Sequence, residues 1–222
     1  MSLMVDRWAE GWAACRAKPL ERDGDAWLVR VGDEHRDLEF VVEDPSPAEA
    51  ARLAALASGP RRWLTVLGDP EPAAATALAG LPTVSQVETM MTVRLTAEPH
   101  DGDAILAEDG DVVRASFEID GVEAARGIAA LAAGSVVLDR ISTDERFRRR
   151  GLGRRVVAAL TGWAMDRGAD TGVLIASPAG RRLYLELGWS DLLPVASYAG
   201  PAEPAASRAE SRSSSTAQLR ST

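Results

Sequence analysis

Apolar residues recur along the chain at two alternating spacings, and the alternation itself predicts the elements. Over residues 5–17, Trp8, Trp12 and Cys15 fall on one face at helical spacing, so an amphipathic helix is expected there. AWLVRV (26–31) and DLEFVV (37–42) have strand composition and are separated by the turn-like GDEHR. The next helix is marked at both ends: Ser46 can cap it, Pro47 suits its first turn, Glu49 completes an S-x-x-E box, and Gly59 follows its last apolar residue. RWLTVL (62–67) predicts a strand, residues 71–79 a short helix, and QVETMMTVRL (86–95) another strand. Strand and helix alternate, so residues 1–98 form an α/β region.

After Pro99 the pattern changes. AILAE, VVRASFEID and VEAARGIAAL predict three strands joined by DGD and DG turns, with VVLDRIST (136–143) as a fourth. A helix is expected from Gly151 to Arg167, with Gly168 at its end, followed by a buried strand at TGVLIA (171–176). Ser177 and Pro178 open a further helix that Gly188 closes, and LPVASYA (193–199) predicts a last strand. From 200 to 222 Ser, Ala, Pro, Glu and Arg dominate, the composition of a disordered tail. No internal repeat is visible. The opening MSLM reads as a cloning scar ahead of a start at Met4 and is set aside.

Composition adds constraints rather than a function. At 222 residues the chain can bury a sizeable core. No apolar run approaches the roughly 18 residues of a membrane span, and no export signal opens the chain. The single cysteine, Cys15, has no internal partner, and no cysteine or histidine cluster suggests a metal. The expected setting is reducing and cytoplasmic. His35 and His100 lie in polar loops, and Trp8 and Trp12 are assigned to a core or dimer face.

Charge placement changes the picture. The net charge is −8, yet RRRGLGRR (148–155) holds five arginines in eight residues. Charge this local suits a small polyanion better than a nucleic acid, and interleaved aromatic residues are lacking. The stretch sits between a strand and a helix, where unsatisfied N–H groups and the helix dipole make an anion site. Glycines at 151 and 153 let an anion approach the backbone, and arginine forks suit phosphate. The string is neither a P-loop nor a G-x-G-x-x-G turn, since Val156 stands at the third glycine. It is R-x-x-G-x-G, and LYLELGW occurs downstream at 183–189.

Together these motifs resemble those of the GNAT superfamily of acyl-CoA N-acyltransferases, over about residues 110–199. The resemblance implies a mixed α/β (α+β), mostly antiparallel sheet whose two central parallel strands, 136–143 and 171–176, splay at their C-terminal ends. It implies acetyl-CoA as cosubstrate and no metal. Backbone groups of Ile141, Ser142 and Thr143 would pair with the pantetheine arm, and the segment Arg148, Arg149, Arg150, Gly151, Leu152, Gly153, Arg154 would cradle the pyrophosphate. Ser177 falls where many members place a cofactor-binding asparagine, although its position also suits an N-cap. Tyr184 matches the tyrosine that protonates the departing thiolate.

An amine acceptor with pKa about 10.4 is almost wholly protonated near pH 7, a deficit of about 4–5 kcal/mol that a base or desolvation must offset. Asp139 is the first candidate base, placed by strand alternation on the face of Ile141 and Thr143. Glu118 is the second, and ordered water the third; Asp139 could instead pair with an arginine. Only about four residues separate AILAE from the next strand, where the family places two helices. Residues 1–98 would therefore supply the acceptor side, as a degenerate GNAT-like half beside a 99–199 acetyl-CoA-binding domain. The expected activity is N-acetylation of a small-molecule or peptide amine by direct attack, in a monomer or homodimer without nucleic-acid or membrane partners. The alternative is a non-catalytic acyl-CoA-binding module.

Overall fold

The computed structural model describes residues 1–96 and 103–201, except the side chain of Gln86. The expected boundary at 98/99, His100 and the tail from 202 onward lie outside the described residues.

All the described strands join one sheet. The chain begins with α1 (Leu3–Cys15), β1 (Leu20–Asp23), β2 (Ala26–Arg30), β3 (Leu38–Glu43), α2 (Pro47–Ala57), β4 (Arg62–Leu67), α3 (Pro72–Leu78) and β5 (Thr83–Arg94). It continues with β6 (Ile105–Asp109), β7 (Val112–Ile119), β8 (Val122–Ala132), β9 (Ser135–Thr143), α4 (Leu152–Met165), β10 (Thr171–Ala176), α5 (Pro178–Glu186) and β11 (Ser190–Ala199). The strand order is β1-β2-β3-β4-β11-β5-β10-β9-β8-β7-β6. Only β3 with β4 and β9 with β10 are parallel; the other pairs are antiparallel. This is the expected mixed, mostly antiparallel sheet. Each half of the chain sends its last strand into the other, β5 alongside β10 and β11 alongside β4.

Strand alternation separates two cores. Phe40, Val42, Leu64 and Val66 face α2 and α3, while Val136, Leu138 and Leu174 face α4 and α5. Their neighbours Val41, Val137, Val173 and Val195 point to the opposite face, which α1 covers with Trp8 and Trp12. Both tryptophans are therefore core residues, stacked 5.4 Å apart. No helix among the described residues is long and apolar enough to cross a membrane.

Three local expectations are corrected. Helix α1 starts at Leu3, inside the segment set aside, because the Ser2 hydroxyl caps the Val5 N–H; it ends at Cys15, since Ala17 takes φ +51°. Strand β1 escaped notice because LERD has no apolar alternation; at a sheet edge it needs none. Ser46 does cap α2, but Glu49 does not complete the box: its carboxylate binds Arg52 at 2.7 and 2.8 Å.

Candidate functional site

The site begins where β9 and β10 part. They pair at Ser135–Thr171, Val136–Gly172 and Val137–Val173, and no further. Strand β9 nevertheless runs on to Thr143 and β10 to Ala176. A bulge in β9 follows directly after the last pair. Asp139 pairs with Ile128 of β8 and Ser142 with Arg126, so three steps of β9 oppose two of β8, and Arg140 takes φ +54°. A bulge increases local twist and turns a strand away from its neighbour. The expected splay is present, and the β9 edge over Asp139–Thr143 has no ladder partner on the β10 side.

The same bulge corrects the placement of Asp139. Alternation puts it with Ile141 and Thr143, but Ile141 lies against Gly127 and Val156 on the α4 face, and Thr143 lies on that face beside Gly153. Asp139 faces α1 instead, where the Arg16 guanidinium donates from Nε at 2.8 Å and Nη2 at 3.1 Å. Its carboxylate is held in an ion pair. Glu118 is exposed on β7, two strands beyond β9, and is not brought to the gap.

Helix α4 starts beside the mouth of the splay. Gly151 stands at its N-cap with φ +75°, a conformation glycine adopts without strain, and no side chain caps the helix. The first N–H returned to the helix is that of Arg155, to the Gly151 carbonyl. The N–H groups of Leu152, Gly153 and Arg154 precede it. A Cβ on Gly153 would sit 3.2 Å from Leu183 of α5 and 3.8 Å from the Thr143 hydroxyl, so α4 starts close to both α5 and the end of β9. The Leu152 side chain is buried in the core, so only its backbone faces this position.

The arginines divide into two groups. Arg146 binds Asp144 and holds its carboxyl at about 2 through that hydrogen bond; Arg148 pairs with Glu145 at 3.1 Å. Arg150 lies over the Phe147 ring, and Arg155 lies over Phe117 and pairs with Asp103. Arg149 and Arg154 are exposed and form no ion pair among the described residues. Both guanidiniums belong to the segment that opens α4, where unpaired N–H groups and the helix dipole favour negative charge.

On α5, Ser177 is an N-cap, its hydroxyl accepting from the Gly180 N–H at 3.2 Å. Tyr184 is buried at 7 % exposure, and its ring meets Trp189 at 5.6 Å in a tilted contact. The LYLELGW motif thus has a physical basis: Leu183 faces Gly153, Gly188 turns the chain at φ +80°, and Trp189 braces Tyr184. Burial first, and then the charge of Asp139, push the Tyr184 phenol up to about 12, so it keeps its proton throughout the neutral range. Tyr184 and Asp139 flank the gap from opposite faces of the sheet.

On the α1 face a cavity of about 350 Å³ lies at the seam between the halves. Asp139 and Ile175 form part of its wall, two residues beyond the last β9–β10 pair, so it adjoins the splay. Trp8, Trp12 and Trp63 supply aromatic walls. Its floor is polar: Thr65 donates to Glu39 at 2.7 Å and lies 3.1 Å from the Ser197 hydroxyl, and Arg36 pairs with Glu39 and stacks over Trp63. Glu88 is half-buried, and burial raises its carboxyl while a hydrogen bond from Ser85 opposes the rise. Sequence reasoning missed Arg36, Glu39, Trp63 and Glu88. The available signal was an acid inside each of two strands otherwise suited to burial, DLEFVV and QVETMMTV.

Residues 82–189 match the model of the acetyltransferase (GNAT) family. The fold is similar to that of a GCN5-related N-acetyltransferase from Kribbella flavida, at TM-score 0.64 and 19% identity over 93% of this chain and 99% of that one. A GNAT-family protein from Novosphingobium aromaticivorans gives TM-score 0.60 at 16% identity, over 89% and 97% of the two chains. A GCN5-related N-acetyltransferase from Sphaerobacter thermophilus gives 0.53 at 10%, over 81% and 79%. At these identities the likeness is one of fold, and in the first two it spans both halves. No curated protein matches the chain.

Proposed function

We propose that this chain, whose residues 82–189 match the acetyltransferase (GNAT) family, transfers an acetyl group from acetyl-CoA to an amine of a small molecule or peptide by direct attack. One observation carries the reading: β9 and β10 part after three pairs, beside a helix start that no side chain caps. Backbone groups of Ile141, Ser142 and Thr143 would hold the pantetheine arm as an added strand. The α4 N-terminus, with Arg149 and Arg154, would hold the pyrophosphate. A metal has no part in this scheme, and a cytoplasmic setting suits the single buried thiol of Cys15.

The bound cosubstrate supplies an activated thioester carbonyl. In the transfer an N–C bond forms, the C–S bond breaks, the amine gives up a proton and the thiolate takes one. Tyr184 can supply the second proton, because its raised pKa leaves it protonated at neutral pH. Unpaired N–H groups at the splayed strand ends can polarise the carbonyl. Asp139 is committed to Arg16, which favours proton removal through water or another carboxyl of the cavity. The N-terminal half supplies the acceptor side.

Thiol release from acetyl-CoA across an amine panel, run beside CoA calorimetry, tests this reading. It expects CoA to bind and at least one amine to stimulate release. Binding without release by any amine would favour the non-catalytic module, and absence of CoA binding would reject both.

A further inference from the structure

We propose that the cavity walled by Trp8, Trp12 and Trp63 is the acceptor site, that it selects a primary amine carried as a cation on a flat apolar body, and that Glu88 receives the ammonium group. The proposal rests on the acyltransferase reading above and names the substrate class of that site.

Position is the first argument. The cavity meets the splay through Asp139 and Ile175, while α4 and α5 occupy the other face of the sheet. A cosubstrate entering beside α4 and an acceptor entering beneath α1 would meet between the parted strands. Register then places Glu88 at that meeting point. Strand β5 makes its last pair with β10 at Thr89–Ala176, so Glu88 is the next residue along, beside the open end of β10. Across β11 it pairs with Val195, another wall residue.

Charge is the second argument. Three carboxylates and two guanidiniums line the cavity, and four of these five groups are already matched, Arg16 with Asp139 and Arg36 with Glu39. Glu88 forms no ion pair among the described residues, and its hydrogen-bond partner is the neutral Ser85 hydroxyl. One negative charge is left for a ligand, so a cation is welcomed and an anion repelled. An amino acid acceptor is disfavoured, because its carboxylate would meet guanidinium charges already matched, Arg16 by Asp139 and Arg36 by Glu39, although the buried Arg36 Nε has no hydrogen-bond partner. The aromatic walls fix the rest of the class: Trp8 and Trp12 stack at an interplanar angle of 15°, and Arg16 over Trp12 and Arg36 over Trp63 hold the rings in place. About 350 Å³ admits one small molecule or a single side chain, at the small end of ligand sites.

The test uses three probes on the full chain, 2-phenylethylamine, 2-phenylethanol and phenylalanine, followed by calorimetry and tryptophan fluorescence, with CoA titrated in parallel. The amine should bind about 10-fold or more tighter than the alcohol, the range of a charge-assisted hydrogen bond, and phenylalanine should bind no better than the alcohol. Glu88→Gln, nearly isosteric, should remove the preference for the amine while changing alcohol and CoA affinity less than about twofold. Equal binding of amine and alcohol by the wild type would overturn the proposal, as would an unchanged amine affinity in E88Q or tight binding of phenylalanine. CoA binding intact beside any of these failures leaves the acyltransferase reading standing. Loss of CoA binding with the amine preference intact removes that reading, and the acceptor role with it.

Discussion

Two strand–helix–strand units occupy matching places on either side of the sheet centre, β3–α2–β4 and β9–α4–β10. Each pairs its two strands in parallel, and each has its partner's last strand on its inner side. The units differ in how far their strands stay together and in how their helices begin. Strands β3 and β4 stay paired through all six positions, from Leu38–Arg62 to Glu43–Leu67, whereas β9 and β10 part after three. The start of α2 is closed by the Ser46 hydroxyl and carries Glu49 in its first turn; α4 starts at a bare glycine with no acid in its first turn. The topology offers two comparable places, and one of them carries the bulge, the two glycines and the exposed arginines on which the proposed CoA site rests.

Substitutions that abolish this contrast should act at the first step, cosubstrate binding, on which all turnover depends. Gly153→Asp places a carboxylate against the first N–H groups of α4 and in the mouth of the splay, and should weaken CoA binding by about 100-fold or more. Calorimetry of the variant and the wild type measures it, and an unchanged affinity would remove the turn from the site. Next is the chemistry. Tyr184→Phe should lower turnover by about 10²–10⁴-fold while leaving CoA affinity and the melting curve nearly unchanged, since the ring still packs on Trp189. Equal rates in thiol release would leave proton delivery to water.

Smaller effects sharpen the comparison from the other unit. Ser46→Ala should cost about 1 kcal/mol of stability by urea unfolding and leave CoA affinity alone. A shift in CoA affinity would mean that α2 takes part in binding. The phenol of Tyr184 adds a pH signature. Its folded pKa is raised from 10.0 to about 12, so its contribution to stability is complete below 10 and is lost as pH rises through 12. Melting curves between pH 9 and 12 should therefore fall less steeply for Y184F than for the wild type.

Elements with strong periodicity were legible in the sequence, and so was the glycine turn that opens α4, because glycine spacing and arginine density are read without a structure. Ser46, Pro47 and Ser177 marked helix starts correctly, since capping is a local matter between residues three apart. The face of Asp139 was illegible for a specific reason: a bulge adds one residue to a strand and reverses alternation, and nothing in VVLDRIST marks it. Its partner Arg16 lies 123 residues away in sequence, so the ion pair could be anticipated only as an option. The cavity on the α1 face was hidden in the same way, because Trp63, Glu39 and Glu88 come together only when β11 inserts between β4 and β5.

The central claim, that the parted β9–β10 pair and the α4 start form the CoA site while β3–β4 does not, is tested most directly by hydrogen exchange with and without CoA. The account predicts slowed exchange for amides of Ile141–Thr143 and the first turn of α4, with β3, β4 and the first turn of α2 unchanged. Protection at the α2 unit, or none at Ile141–Thr143 when CoA is demonstrably bound, would contradict it.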